Sequence, residues 1–334
     1  MRRLWIHIGA HKTGTTFLQG RFHRHDGDLA KQGLLYPETG RHKLGGHHNL
    51  ALMIAPPDGL AATRQALAVE LDGFAGDVLL SSENFEFLTA NQMKTLGELF
   101  DPVEVRVIYL YRHWATLLYS AWQEAIKQGA IGPFDSFALS ELAFWPESKL
   151  LNFDLPIDRA EAAFGPGTVR IANYDTLRKQ GTLLPAFCQL LGIALDDSSG
   201  DDLGNPSMSP VTAEICRALA VLARQNGAKP DHELRLHFRK KVRGLKHPLA
   251  ARLAEMMKPH LRDMPDLRRS PLVTTYLDDF MTRHAARFFS PPDPDALAGV
   301  RIPQTVSSAY LFDPAARQTL EMLYVRLMAS FVPA

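Results

Sequence analysis

The chain has 334 residues, of which 46% are hydrophobic and 22% charged, and its formal net charge is +1. These proportions are typical of a soluble globular protein. No apolar run approaches the roughly 18 to 20 residues that span a bilayer, and the two cysteines provide neither a disulfide framework nor a metal-ligand spacing.

The predicted location of the protein follows from its N-terminus and its cysteines. Two arginines precede an apolar stretch, but this stretch is short and runs directly into a glycine-containing loop. Cleavage of a signal peptide would remove the strand that carries this loop, so we expect a chain that is not secreted. With only Cys188 and Cys216 present, the reducing cytoplasm is the expected location.

The N-terminal half alternates short apolar runs with amphipathic stretches, which predicts β-α units around a central parallel β-sheet flanked by helices, an α/β fold. The predicted strands are 4–8, 77–82, 105–111 and 168–172, and 34–36 is predicted as a short extended piece before Pro37. The predicted helices are 15–31, 49–54, 63–71, 91–100, 114–128 and 182–191.

The C-terminal part has a different pattern. Residues 196–210 are rich in Ser, Asp, Gly and Pro, which predicts a loop and the best candidate boundary. Beyond it, strand signals are scarce and helices are predicted at 211–225, 249–258 and 315–331. We therefore expect an α/β core over 1–200 and a mostly helical extension over 201–334 that packs on the core and helps to shape an acceptor site. The two could also form one continuous domain.

The first predicted strand ends in a loop with the spacing of a phosphate-binding motif. Gly9 and Gly14 stand in the pattern G-x-x-x-x-G, and an amphipathic run follows. A strand, a tight loop and a helix N-terminus can hold a phosphate with backbone N–H groups. The ATP-binding version of this loop has Lys directly after the second glycine, but here Thr15 and Thr16 follow and the cation is Lys12. This arrangement suits a phosphate whose chemistry does not depend on Ser/Thr-bound magnesium, so no metal is expected.

A second motif follows another predicted strand. Arg112 comes directly after 105–111, and Ser120 stands eight residues later in the next predicted helix. The loop sequence K-T-G-T-T-F-L-Q resembles the 5′-phosphosulfate loop of sulfotransferases that use 3′-phosphoadenosine-5′-phosphosulfate (PAPS), and the Arg–Ser pair is similar to their 3′-phosphate site. The resemblance is strongest to bacterial sulfotransferase-like proteins with I-G-x-H-K-T-G-T-T and a later S-S-E-N-F. It extends to about Pro210.

The resemblance implies a P-loop-like sulfotransferase fold. It also implies in-line transfer of a sulfuryl group from PAPS to a hydroxyl or amine of a glycan or small molecule. In that reading Lys12 offsets charge on the bridging oxygen of the departing phosphate, and Arg112 and Ser120 hold the 3′-phosphate. The donor-binding residues of the loop would be Lys12, Thr13, Gly14, Thr15, Thr16 and Phe17.

The general base is left open between several residues. Glu83 follows the strand 77–82, where α/β sheets place groups that contact ligands. His48 belongs to a glycine-flanked His pair, and its side chain could titrate near neutral pH. Glu38, after Pro37, is a weaker third candidate. For Glu83, a carboxylate that satisfies backbone donors at a helix N-terminus is an equally good interpretation.

Two other functions are compatible with a phosphate loop. One is a nucleotide or small-molecule kinase with an atypical loop, and the other is a non-catalytic nucleotide-binding protein. Residues 224–269 hold 13 Lys/Arg against 5 Asp/Glu, a net of +8, so the rest of the chain carries −7. This segment would attract an anion, although aromatic residues do not interleave with it as in nucleic-acid-binding surfaces, so no nucleic-acid partner is expected. The sequence predicts neither the acceptor's identity nor the oligomeric state.

Overall fold

The computed structural model describes residues 3–54, 60–101, 104–195 and 208–332. The strands are β1 Arg3–His7, β2 Leu34–Leu35, β3 Asp77–Ser81, β4 Glu104–Tyr111, β5 Val169–Asn173, β6 Leu261–Asp263, β7 Phe288–Ser290 and β8 Gln304–Val306. The helices are α1 Thr15–Arg24, α2 Asp26–Lys31, α3 His48–Ile54, α4 Leu60–Leu71, α5 Ala90–Glu98, α6 Trp114–Gln128, α7 Phe134–Ala143, α8 Asp154–Phe164, α9 Tyr174–Gln180, α10 Leu183–Leu191, α11 Pro210–Gln225, α12 His232–Val242, α13 Pro248–Met257, α14 Pro271–Arg283, α15 Pro294–Ala298 and α16 Pro314–Ala329. A 3₁₀ turn, Glu83–Phe87, follows β3.

The described residues fall into two compact units, and each unit is discontinuous in sequence. The first comprises the described parts of 1–113, 146–205 and 271–300. The second comprises those of 114–145, 206–270 and 301–334. The predicted boundary at residues 200 and 201 lies within 196–207, outside the described residues.

The first unit is built on a parallel sheet with the strand order β2-β3-β1-β4-β5-β7. Parallel strands are covered on both faces and therefore consist of continuous apolar runs. Residues 107–111 of β4 are accordingly at most 1% exposed. Leu18 and Phe22 of α1 and Phe187 of α10 pack against one face of the sheet. The predicted central parallel sheet flanked by helices is confirmed.

The strand order has a switch point beside the central strand β1. The chain leaves β1 towards β2 and β3 on one side, and it leaves β4 towards β5 on the other. In open α/β sheets, ligands bind at such a switch point, outside the carboxyl ends of the strands. His7, Ser81 and Tyr111 end β1, β3 and β4 at this edge.

The first unit differs from the predictions in several places. The helices α8, α9, α14 and α15 were not predicted, one predicted helix is broken, and one strand was missed. The helix predicted over 15–31 is two helices, because His25, with φ −113° and ψ 20°, ends α1 and Asp26 begins α2. Strand β7 was not predicted from the scarce strand signals of the C-terminal part. It has three residues and joins the sheet at its edge, beside β5, and so short a run carries no period that identifies a strand.

The second unit is mostly helical, as predicted for the C-terminal part. It contains α6, α7, α11, α12, α13 and α16, with an antiparallel pair formed by β6 and β8. A buried ion pair lies inside α11, where Arg217 Nη2 is 2.6 Å from Glu214 Oε1. Tyr310 donates its hydroxyl hydrogen to the same carboxylate at 3.1 Å. Among the described helices of both units, none has the length and apolarity to cross a membrane.

A carboxylate ties α8 to α14 in the first unit and makes its stability depend on pH. Asp154 Oδ1 accepts hydrogen bonds from Arg283 Nη1 at 2.6 Å and from His284 Nε2 at 2.7 Å. Burial acts to raise the pKa of Asp154, but these partners outweigh it and lower the pKa to about 2. Because the folded pKa lies below the unfolded value of about 3.9, the stabilisation is fully present above that value and is lost as pH falls through the folded pKa.

We therefore expect the free energy of unfolding to fall more steeply for the natural chain than for Asp154→Asn between about pH 4 and pH 2. Urea titrations of both proteins across this range check the expectation. Parallel curves would show that the carboxylate does not couple folding to pH.

Candidate functional site

The loop after β1 has the backbone geometry of an anion-binding site. Lys12 and Gly14 both have left-handed backbones, with φ 71° and 77°. Thr13 is fully buried between them, and its hydroxyl donates to the carbonyl of Ala10 at 2.5 Å. Alternating backbone conformations of this kind turn successive N–H groups towards one point, where an anion can bind. Gly14 is also the N-cap of α1, and it provides no side chain that would compete with an anion for the first N–H groups.

Both glycines of the loop lie where a side chain would not fit. A Cβ on Gly9 would be 2.6 Å from His7 Nε2 and 3.0 Å from Thr15 Cγ2. A Cβ on Gly14 would be 2.9 Å from both Leu183 Cδ2 and Tyr174 Cε2. Neighbouring side chains therefore pack tightly against both glycines, and the loop backbone can approach a phosphate closely. This cradle fits the 5′-phosphate predicted for it.

The remaining loop residues surround this cradle. Thr15 is buried, whereas Thr16, Phe17 and Lys12 are partly buried. The Phe17 ring lies 5.3 Å from the guanidinium carbon of Arg21, one turn further along α1. Their contacts with a donor stay predictions.

Arg112 contacts the loop directly. Its Nη1 donates to the carbonyl of Lys12 at 2.9 Å, although the two residues are 100 positions apart. Its Nε is 3.5 Å from Asp175 Oδ1, and its guanidinium carbon is 5.3 Å from the centre of the Tyr174 ring. Asp175 also accepts the backbone N–H of His113 at 2.7 Å. The structure thus brings Arg112 to the loop and fixes its orientation, while its role as a 3′-phosphate clamp stays a prediction.

Ser120, the predicted partner of Arg112, lies on α6 in the second unit and is partly buried. Arg112 belongs to the first unit, and the contact of Ser120 with a 3′-phosphate stays a prediction.

The two main base candidates lie next to each other. His48 Nε2, at the start of α3, is 3.9 Å from Glu83 Oε2, in the turn after β3. Gln19 of α1 donates its side-chain N–H to the same Glu83 oxygen at 3.0 Å. Gly46 leaves room for this arrangement, because a Cβ there would be 2.5 Å from Gln19 Oε1 and 2.7 Å from His48 Nε2. The pair is thereby linked to the helix that begins at the phosphate loop.

The surroundings of the pair favour an ionised carboxylate. Burial acts to raise the pKa of Glu83, but His48, the Gln19 hydrogen bond and His11 outweigh it, and the pKa is lowered. Ser82 Oγ accepts the backbone N–H of Asn84 and lies 2.8 Å from His48 Nδ1. If the serine hydroxyl donates to Nδ1, His48 Nε2 carries the ring hydrogen and points it towards the Glu83 carboxylate.

Glu38, the third candidate, lies apart from this pair. Its side chain is 86% exposed and its nearest charged partner is Arg41, at 3.9 Å. His47, which precedes His48 in the chain, is fully buried. Its Nε2 is 2.9 Å from the carbonyl of Pro37, and its Nδ1 accepts the backbone N–H of Ser81 at 3.2 Å. Both ring nitrogens of His47 thus have backbone partners, one in Pro37 and one at the end of β3. Burial lowers the pKa of His47 to about 3.

Besides Gln19 and Asp175, the site contains Glu86 and His7, which were not predicted from the sequence either. Glu86 is only 4% exposed, and its Oε2 accepts the backbone N–H of His11 at 3.2 Å. His7 is fully buried with Nδ1 2.8 Å from Ser81 Oγ, and its Nε2 has no hydrogen-bond partner among the described residues. The His7 signal was present in the sequence, since a histidine ends an otherwise apolar strand. Glu86 carried no such signal, because its partner is 75 residues away.

No group of three or more His, Cys, Asp or Glu side chains lies close enough to hold a metal ion in the part of the chain that the structure describes.

Comparison with known proteins finds no match to a protein-family model and no match among curated proteins. Among solved structures, the chain is similar to a sulfotransferase from Alicyclobacillus acidocaldarius, with 15% identity and a TM-score of 0.41 over 69% of this chain and 97% of the other. It is similar to the sulfotransferase domain from the curacin biosynthetic pathway, with 15% identity and a TM-score of 0.35 over 58% and 75%. A mouse sulfotransferase complexed with PAP has 14% identity and a TM-score of 0.33 over 83% and 88%. All three are named as sulfotransferases.

Proposed function

We propose that this protein transfers a sulfuryl group from PAPS to a hydroxyl or amine of a glycan or small-molecule acceptor. One observation carries the proposal. The His48–Glu83 pair is joined by Gln19 to the helix that begins at the phosphate loop. A candidate base and a candidate phosphate site are thus linked within one unit, as in-line transfer between two bound substrates requires.

The phosphate loop holds the donor in this proposal. Backbone N–H groups at the start of α1 bind the 5′-phosphate, and Lys12 stabilises the negative charge that develops on the leaving oxygen. When bound, PAPS supplies the sulfuryl group and a phosphate leaving group. Arg112 holds the loop through the Lys12 carbonyl, and its guanidinium binds the 3′-phosphate in this proposal.

The base is Glu83 in this proposal, and His48 supports it. With a hydrogen on Nε2, His48 cannot accept the acceptor's proton through that nitrogen, whereas the ionised carboxylate can. The proton lost from the acceptor therefore goes to a Glu83 oxygen. Gln19 of α1 holds this carboxylate by a hydrogen bond, and His48 of α3 lies 3.9 Å from it and stabilises its charge.

Ligand binding and product analysis test the function. Calorimetry should show tighter binding of 3′-phosphoadenosine-5′-phosphate (PAP) without metal than of ADP with or without magnesium. Incubation of candidate acceptors with labelled PAPS should give a product heavier by one sulfuryl group. Preference for ADP with magnesium would overturn the proposal in favour of a kinase. Tight PAP binding without transfer to any hydroxylated or amine acceptor would indicate a non-catalytic nucleotide-binding protein.

Replacement of Gly14 by alanine should weaken both the fold and donor binding. The left-handed backbone and the contacts of the added methyl group with Tyr174 and Leu183 should lower the free energy of unfolding by about 1 to 3 kcal/mol. We expect the affinity for PAP to fall by about tenfold or more, because the N–H groups of the loop would move. Chemical denaturation and calorimetry measure the two effects.

Gly33→Ala is the matched control for this change. Gly33 also has a positive φ, of 82°, but nothing lies within 4 Å of an added Cβ. This variant should show a loss of stability with unchanged affinity for PAP. Equal losses of PAP affinity in both variants would contradict a specific role for Gly14.

A further inference from the structure

We propose that Glu86 positions Lys12 for the transfer step by fixing the backbone of the preceding residue, His11. The inference rests on the proposed function and concerns a positioning residue rather than one that contacts the substrate.

The turn after β3 holds His11 by two separate contacts. Glu86 Oε2 accepts the backbone N–H of His11 at 3.2 Å. The next residue, Phe87, stacks on the His11 ring with centroids 5.0 Å apart and an interplanar angle of 27°. One contact fixes the main chain and the other fixes the side chain. The residue before Lys12 is therefore held on both sides of its Cα.

Glu86 is itself held firmly. Its side chain is buried, and its backbone carbonyl accepts from Arg159 Nη1 of α8 at 3.3 Å. The turn that carries it begins at Ser82, whose hydroxyl caps the N–H of Asn84. The same turn carries Glu83, the proposed base. One short turn therefore positions both the phosphate loop, through Glu86, and the proposed base, Glu83.

Lys12 needs such support because its backbone conformation is unfavourable. A φ of 71° is left-handed, which a residue with a Cβ seldom adopts unless its surroundings impose it. Arg112 holds the carbonyl of Lys12 from one side, and Glu86 holds the N–H of His11 from the other. Loss of the second contact would release the N–H of the Ala10–His11 peptide, and the resulting shift of the His11 backbone would change the direction in which the Lys12 ammonium points.

The carboxyl of Glu86 acts here as a hydrogen-bond acceptor and does not need a charge. Burial raises the pKa of Glu86 well above its usual range, and Glu83 acts in the same direction, whereas the His11 N–H and Arg159 lower it. Burial, and after it the electrostatic effect of Glu86, raises the pKa of the Tyr109 phenol on β4 well above its usual range. Glutamine keeps the accepting oxygen without the ionisable group, so it is the conservative replacement.

Steady-state kinetics of Glu86→Leu and Glu86→Gln test the inference, together with calorimetry of PAP. We expect Glu86→Leu to lower kcat by about tenfold or more while the affinity for PAP changes less than about threefold, because the help of Lys12 is concentrated in the transition state. Glu86→Gln should restore kcat to within about threefold of the natural protein. Rates are expressed per folded protein, with the folded fraction taken from thermal unfolding.

Glu161→Leu is the matched control. Glu161 also accepts a backbone N–H, from Gly167 at 3.0 Å. Gly167 precedes β5, so this contact lies at the amino ends of the strands, away from the phosphate loop at their carboxyl ends. This variant should lose stability and keep its kcat per folded protein. An unchanged kcat in Glu86→Leu, an equal fall of kcat and PAP affinity, or a failure of Glu86→Gln to restore kcat would each overturn the inference. If the natural protein transfers no sulfuryl group at all, it is the proposed function that fails.

Discussion

Replacement of Lys12 by alanine is expected to lower kcat by about 10²- to 10³-fold while the affinity for PAP falls less than about tenfold. An ammonium group that stabilises charge on the leaving oxygen acts mainly in the transition state, whereas the 5′-phosphate of the product is held largely by backbone N–H groups of the loop. The comparison of single-turnover rates with PAP affinities from calorimetry measures the difference.

Lys31→Ala serves as the control for this prediction. Lys31 lies at the end of α2 with a 79% exposed side chain and an ion pair to Asp28 at 2.9 Å. Its removal should leave both kcat and PAP affinity unchanged, because exposed ion pairs contribute little. If Lys12→Ala loses rate and affinity by the same factor, Lys12 is a binding residue and its proposed role in the transition state is wrong.

Glu83→Gln is expected to lower kcat by about 10²- to 10⁴-fold. His48→Ala is expected to lower kcat by a smaller factor. Glutamine cannot accept the acceptor's proton at neutral pH, whereas loss of His48 only removes a group that stabilises and orients the carboxylate. The double variant should be no slower than Glu83→Gln alone, because His48 acts through Glu83. The affinity for PAP should stay within about threefold in all three variants.

Single-turnover rates of the four proteins complete this mutant cycle. Additive losses would show that the two residues act independently, and a larger loss in His48→Ala than in Glu83→Gln would make histidine the base. Glu38→Gln is the control, since Glu38 is exposed and contacts neither residue among the described contacts. If neither Glu83→Gln nor His48→Ala slows transfer, both base assignments are wrong.

The sequence predicted the strand, loop and helix around Lys12 because their determinants are local. Apolar residues end where the glycines begin, and Gly14 stands at a position that requires both a positive φ and the absence of a Cβ. The helix 114–128 was predicted with the bounds that the structure has. The break at His25 and the edge strand β7 were missed, because a capping conformation and a three-residue run leave weak patterns in the sequence.

The candidate site was predicted residue by residue, but the relations between its residues were not. Glu83 and His48 were proposed as alternatives, and the structure shows them as neighbours, with Glu83 hydrogen-bonded to Gln19. Arg112 was predicted for a distant phosphate, and the structure shows that it also holds the Lys12 carbonyl. The partnership of Arg112 with Ser120 stays a prediction, because the two residues belong to different units.

The sequence by itself determined the α/β fold class, the phosphate loop and the polar residues that follow the buried strands, because each depends on neighbours a few positions apart. Only the tertiary structure decided which of those residues meet. β3 lies beside β1 in the sheet although the paired residues, such as Leu4 and Val78, are 74 positions apart, and this pairing brings the turn of Glu83 and Glu86 against the loop of His11 and Lys12. Such contacts depend on strand order, which the packing of the whole sheet fixes and no short stretch of sequence contains.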